Sequence, residues 1–276
     1  MKYLRSGFFI GMLCVYWISL PTHAQEKIPL TESVLTATLP ERTLSALVTH
    51  QEQHGAFKRI VLLFPGHPSI MKIRAADSFE LKGNFLIRAR RHWLDDETLV
   101  LSVDAPSDEW RNFNGRFRAS PRYAEDLQGL MKAVIAVYGK LPWVLVGTSE
   151  GSVTAYYAAL ALQEMQPDSK VIFTSSLFND SRNAQGLASL KMAAIHIPIL
   201  WMHHARDSCD WTPYWQAKRH AEKTHAALIT VYSSKDSRGD SCEAFSEHGF
   251  IGYEKEAVLA MKRWALTGET QDVGTP

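Results

Sequence analysis

The stretch Trp143-Val144-Leu145-Val146-Gly147-Thr148-Ser149-Glu150-Gly151 passes from an apolar run through Gly-x-Ser-x-Gly into an alanine-rich segment, Glu150 to Leu162. It reads as strand, sharp turn and buried helix. Such a turn is so tight that only glycine-sized neighbours avoid collision with the strained serine backbone. Ser149 is thereby raised beyond the sheet edge, at the start of the helix. Unpaired N–H groups and the helix dipole favour developing negative charge there. A bare five-residue match arises by chance; the flanking strand and helix make this one specific.

Similar apolar runs recur on both sides. They are Arg59–Phe64, Thr98–Val103, Lys170–Thr174, Ile197–Met202 and Leu228–Tyr232. Near-continuous apolar runs are what strands covered on both faces require. Helical patterns alternate with them. Ser120-Pro121 is an N-cap followed by proline at the first helical position. From there Leu127, Leu130, Met131, Val134 and Tyr138 form a stripe at three- and four-residue spacing. Glu254 to Trp264 reads as a closing helix, and residues beyond Gly268 as a loose polar tail. Leu35 to Leu39 alternates like an antiparallel edge strand. The alternation of strands and helices predicts an α/β domain with a mostly parallel twisted sheet and helices on both faces.

Composition excludes other classes. Hydrophobic residues at 46% and charged residues at 21% rule out a disordered or fibrous chain. Lysine and arginine number 30 against 29 acidic residues; without Lys2 and Arg5 the balance is 28 to 29, net −1. A body so near neutrality lacks the basic field that nucleic-acid binding requires, so no nucleic-acid partner is expected.

Residues 1–24 read as a secretory signal. Lys2 and Arg5 precede an apolar run from Phe8 to Leu20, and Thr22-His23-Ala24 supplies small residues before a cut after Ala24. That run is shorter than the ~20 apolar residues of a comfortable membrane span, although an uncleaved anchor is the alternative. The expected product is periplasmic or secreted, without stable membrane insertion, and folds as one domain over 25–276. It keeps two cysteines, Cys209 and Cys242. An even count in an exported chain points to a disulfide, with two buried thiols as the alternative. Neither Cys-x-x-Cys nor His-Glu-x-x-His occurs, and neither a metal nor an organic cofactor is expected.

With Ser149 on its elbow, the chain resembles the α/β-hydrolase superfamily over almost all of the mature sequence. The resemblance implies nucleophile, acid and histidine in that chain order, the latter two after the penultimate and last strands. The spacing from Pro198 to Asp207 matches the family's strand proline to its acid, with Asp210 as the competitor. His248-Gly249, just before the final helix, matches the histidine. In this reading His248 takes the proton of Ser149, and Asp207 fixes the imidazole tautomer. The Cys209–Cys242 bridge would then tie the acid loop to the base loop. Phe64-Pro65-Gly66-His67-Pro68-Ser69 resembles the family's His-Gly-x-Pro segment, with Pro65 in place of histidine. The implied oxyanion donors are the backbone N–H groups of His67 and Glu150; Pro68 has none to give.

Other features read more plainly. Arg88, Arg90, Arg91 and His92 are taken as a solvated helix face rather than an anion site. Trp110, Phe113, Phe117 and Trp211 either line a pocket or pack loops. Asn84 to Arg90 and Asp104 to Asp108 resemble a largely uncharacterised branch of exported bacterial hydrolases, which brings no substrate with it. About twenty residues separate the strand ending at Thr174 from the next, too few for a large helical cap. The implied activity is hydrolysis of small or medium carboxylic esters through an acyl-enzyme. An amidase or peptidase of the same fold, or a non-catalytic binding module, is the rival. Oligomeric state is left open.

Overall fold

A computed structural model describes residues 29–180 and 185–276; the leader expected over 1–24 lies outside the described residues. The chain opens with a hairpin of β1 (Leu30–Leu39) and β2 (Arg42–Gln51), followed by β3 (Arg59–Phe64), α1 (Phe85–Ala89) and β4 (Thr98–Val103). Then come α2 (Gly115–Arg118), α3 (Pro121–Tyr138), β5 (Trp143–Thr148), α4 (Glu150–Leu162) and β6 (Lys170–Thr174). It closes with β7 (Ile199–His204), α5 (Tyr214–Thr224), β8 (Ala227–Val231) and α6 (Glu254–Thr267). Strand β7 starts two residues later than expected, because Pro198 has no N–H for the ladder; its carbonyl accepts from Val171 N at 2.9 Å.

The eight strands form one sheet in the order β1-β2-β4-β3-β5-β6-β7-β8. The β1–β2 and β2–β4 pairs are antiparallel and the rest parallel. Every residue of β4 and β5 is buried, as a strand covered on both faces must be. Alternate side chains divide between two cores. Ile60, Leu62, Leu99, Leu101, Trp143 and Leu145 pack under α3, α4 and α5, whereas Val61, Leu63, Val100, Val144 and Val146 pack under α1 and α6. Ser120 Oγ accepts from Tyr123 N at the start of α3, with proline in its first turn.

The chain leaves β3 toward β4 on one side and β5 toward β6 on the other. The switch point therefore falls between β3 and β5, where crevices open beyond the carboxyl ends of parallel strands. Phe64 ends β3 there, paired with Gly147, two residues before Ser149.

Two expectations change. The C-terminal segment is not a loose tail: Val273 is buried and bridges Val231 at the edge of β8, with Tyr232 N donating to Val273 O and Val273 N to Thr230 O. The tail covers an edge that would otherwise present unpaired backbone groups. The Arg88–His92 run is not simply solvated either. Arg88 and Arg90 are largely covered and pair with Glu254 and Glu32. Between β6 and β7, the described residues form only short 3-10 turns, Leu187–Ser189 and Met192–Ala194, consistent with a minimal cap. Among the described residues no helix is long and apolar enough to cross a membrane.

Candidate active site

Ser149 sits between β5 and α4 with φ 53° and ψ −125°, a sparsely populated conformation for a side chain other than glycine. Its neighbours explain how the turn fits. A Cβ on Gly147 would lie 2.2 Å from the carbonyl oxygen of Gly151, and one on Gly151 would lie 2.1 Å from that of Phe64. Either would force the strand end, the helix and the loop after β3 apart. Ser149 N donates to Thr174 O at 3.0 Å, and Ser152 Oγ donates to Ser149 O at 2.6 Å. The strained residue is thus held from both sides.

Asp207 follows β7 and His248 lies in the long loop between β8 and α6. Asp207 Oδ2 and His248 Nδ1 are 3.0 Å apart, with side chains 0% and 5% exposed. Asp207 also accepts from Cys209 N through Oδ1 at 3.0 Å and from Thr212 Oγ1 through Oδ2 at 2.9 Å. A buried carboxylate needs such donors. Asp210, the competitor, is exposed, and its backbone carbonyl accepts from Asn179 Nδ2. Asp207, not Asp210, is the carboxylate that meets the histidine.

His248 is further fixed by Ser175, whose buried hydroxyl donates to the His248 carbonyl at 2.7 Å. Its Nε2 is buried and has no hydrogen-bond partner among the described residues. The Ser149 hydroxyl makes no hydrogen bond to it, yet both residues line one cavity. In ligand-free sites such bonds are commonly long and tighten when substrate binds.

Arg88 reaches this loop from α1. Its guanidinium donates to Gly83 O, Ala244 O and Gly249 O at 2.8 Å each and to Glu254 Oε1 at 2.9 Å. That ties the segment around His248 to two helices. Sequence reading missed this role, because Glu254 is 166 residues away. The Cys209–Cys242 disulfide is present and ties the Asp207 loop to the loop that carries His248; both cysteines line the cavity.

On the opposite side lies the loop after β3. Ser69 donates to Gly66 O through its N–H and to Pro65 O through its hydroxyl. Further along, the buried Asp104 accepts from Met71, Lys72, Ile73 and Ala105 N–H groups. Burial pushes its carboxyl above the usual range, with those four donors opposing. The Asp-Ala-Pro-Ser-Asp segment therefore anchors a loop and contributes no residue to the cavity wall.

The His67 side chain is 82% exposed, and its Nδ1 lies 2.9 Å from Glu150 Oε2. Glu150 Oε1 accepts from Arg118 Nη1 at 2.7 Å. The Glu150 hydrogen bond holds the His67 imidazole above its ordinary value despite partial desolvation. Burial pushes the Glu150 carboxyl up, but His67 and Arg118 outweigh it, leaving the group below the usual carboxylate range. Neither the His67 nor the Glu150 backbone N–H donates within the described residues.

These groups surround a cavity of about 570 Å³ whose remaining walls are largely apolar, including Leu81, Phe85, Leu177, Trp211 and Phe245. Of the four aromatics left open by the sequence, Trp211 lines the cavity. Phe113 and Phe117 pack with Tyr123 instead, and Trp110 donates to Ala105 O. His203 is not a site residue. It is fully buried, its Nε2 accepts from Ser176 N, and burial pushes its pKa down to about 3.

No family model matches the chain, and no curated protein sequence matches it. Solved structures do match. Est1E from Butyrivibrio proteoclasticus superposes with a TM-score of 0.58 at 11% identity, over 85% of this chain and 98% of that one. A dienelactone hydrolase from Anabaena variabilis gives 0.57 at 13% identity, over 86% and 97%. XC6422 from Xanthomonas campestris, described as an α/β serine hydrolase without lid, gives 0.54 at 13% identity, over 89% and 97%. The chain has the α/β-hydrolase fold.

Proposed function

We propose that this chain is an exported serine hydrolase cleaving carboxylic esters, with Ser149 as nucleophile, His248 as base and Asp207 as acid. One observation carries the reading. Asp207 holds His248 at 3.0 Å, and His248 lines the same cavity as a serine held at φ 53° on a strand–helix elbow. Superposable proteins named as a dienelactone hydrolase and a serine hydrolase without lid support it as analogy.

In this reaction His248 Nε2 removes the Ser149 hydroxyl proton as Oγ attacks the ester carbonyl. The carbonyl π pair moves to oxygen, where the N–H groups of Glu150 and His67 receive it. Asp207, acceptor for Nδ1–H, stabilises the imidazolium without taking its proton. The imidazolium then protonates the departing alcohol oxygen as the C–O bond breaks, leaving an acyl-enzyme. Water deprotonated by His248 repeats the sequence and releases the acid.

The apolar walls and the volume of about 570 Å³ suit a small or medium acyl or alcohol group. The leader over 1–24 and the disulfide support export, and residues 25–276 are read as one domain. The deciding experiment pairs fluorophosphonate labelling with turnover of p-nitrophenyl esters of increasing chain length. Labelling at Ser149, and turnover abolished by Ser149→Ala, are expected. Faster cleavage of a p-nitroanilide would reassign the protein as an amidase. Folded protein that neither labels nor turns over would make it a binding module.

A further inference from the structure

The two residues whose backbone amides are the proposed oxyanion donors are joined to each other by their own side chains. His67 Nδ1 meets Glu150 Oε2 at 2.9 Å, and the other carboxylate oxygen takes Arg118 Nη1 at 2.7 Å. The Arg118 side chain is 0% exposed and lies 4.3 Å from the centre of the Phe113 ring. Its Nε and Nη2 have no partner among the described residues. The buried cation is therefore answered by Glu150, which cannot leave without stranding it.

The loop carrying His67 is otherwise held by bonds internal to itself, Ser69 to Gly66 O and to Pro65 O. Gly151 packs against Phe64 and Pro65, and Gly66 lies against Ser149 and Thr148, which positions the loop as far as Gly66 but leaves the tip at His67 to its own tie. Among the described residues, the His67–Glu150 contact is the hydrogen bond linking that tip to α4. Ordering a side chain as exposed as His67 costs conformational entropy, which an anchored ionic acceptor can offset.

We propose that the Arg118–Glu150–His67 chain is the device that sets the separation of the two oxyanion donors. Arg118 and the side chains of Glu150 and His67 are its positioning residues. This rests on Ser149 being the nucleophile. Donors must stand where charge develops, so a loose loop tip weakens the transition state more than ground-state binding. His67→Ala keeps the backbone N–H of residue 67 and removes the tie, together with the imidazole's share of the cavity wall, which the asparagine variant separates from it. It lies at the surface, so it separates positioning from the folding loss that an Arg118 variant risks.

The test measures kcat and KM for a p-nitrophenyl ester in the wild type, His67→Ala, His67→Asn and Glu150→Gln. Fluorophosphonate labelling of Ser149 and thermal melting accompany it. A full oxyanion donor is worth about 10²- to 10³-fold in kcat, so a displaced one should cost His67→Ala about tenfold or more, with KM changed less than about twofold. Labelling still goes to completion, and the melt falls by a few degrees at most, as the loss of one exposed pair allows. Asparagine, whose amide nitrogen stands where Nδ1 stands, restores most of kcat. Wild-type kcat in His67→Ala, a loss confined to KM, or failure of asparagine to restore it would overturn the proposal. Wild-type protein that neither labels nor turns over would overturn the nucleophile reading itself, and this one with it.

Discussion

Asp207 and His248 meet at 3.0 Å although 41 residues separate them in the chain. Their loops come from the ends of β7 and β8, adjacent parallel strands paired from Leu200↔Ala227 to His204↔Val231. The sheet register sets the approach, and the disulfide and Thr212 refine it.

Asp207→Asn should keep this geometry while favouring the wrong imidazole tautomer. The expected loss in kcat is about 10⁴-fold with little change in melting temperature. Asp210→Asn should turn over like wild type. Equal losses in both variants would refute the assignment of the acid.

Thr212 donates to the carboxylate oxygen that meets the histidine, and its Oγ1 is also 3.2 Å from His248 Nδ1. Thr212→Val keeps the shape and removes that donor. A hydrogen bond to a charged acceptor is worth about 1.5–3 kcal/mol, so kcat is expected to fall about tenfold or more. Steady-state kinetics at constant pH check this.

Cys209 and Cys242 close a loop of 33 residues. In the chain-entropy account, removing the bridge costs about 3–4 kcal/mol. For a domain of this size that lowers the melting temperature by about 10 °C. Because each half of the bridge sits beside an acid or base loop, Cys209→Ser/Cys242→Ser should lose turnover below its own melting transition. Thiol titration of the native protein should find no free Cys209 or Cys242 thiol.

Arg88→Ala should leave Ala244 O, Gly249 O and the Glu254 carboxylate short of a partner at once. The expected cost is about 3 kcal/mol, with faster amide exchange in 244–249 and reduced kcat. Arg88→Lys should recover only part, since an ammonium cannot span the same fork of acceptors. Exchange protection measured by mass spectrometry reads this directly.

His67 titrates above its ordinary value because Glu150 accepts its hydrogen bond; desolvation and Arg118 oppose, and Glu243 adds a small pull in the same direction. A folded value above the unfolded one means this pairing stabilises fully below about pH 6.5, as long as Glu150 stays ionised, and fades as pH rises through the folded value. NMR titration should show the His67 midpoint drop in Glu150→Gln. The stability difference between the two proteins should shrink on going alkaline.

Much of this was legible in the sequence because it is local. The elbow needs glycine at 147 and 151, and buried parallel strands need unbroken apolar runs, so both are written in contiguous residues. Chain order then pointed to Asp207 and His248. What escaped depends on distant partners. Arg88 reads as a surface charge until α6 brings Glu254 against it, and Thr212 is an ordinary threonine until the β7 loop turns its hydroxyl to Asp207. Glu150 was expected to offer only its N–H, because no local pattern shows that its side chain faces His67 and Arg118. Trp211 and Phe113 belong to the same residue class, and only tertiary packing separates a wall from a filler.

The seat of Val273 beside Val231 has a practical side. Trimming the gene after Gly268 would remove the plug from the outermost β-ladder, baring Thr230 N, Thr230 O and Tyr232 N to any passing strand. Such a shortened product should precipitate or pair with its own copies. An affinity handle placed after Pro276 would leave the seal in place.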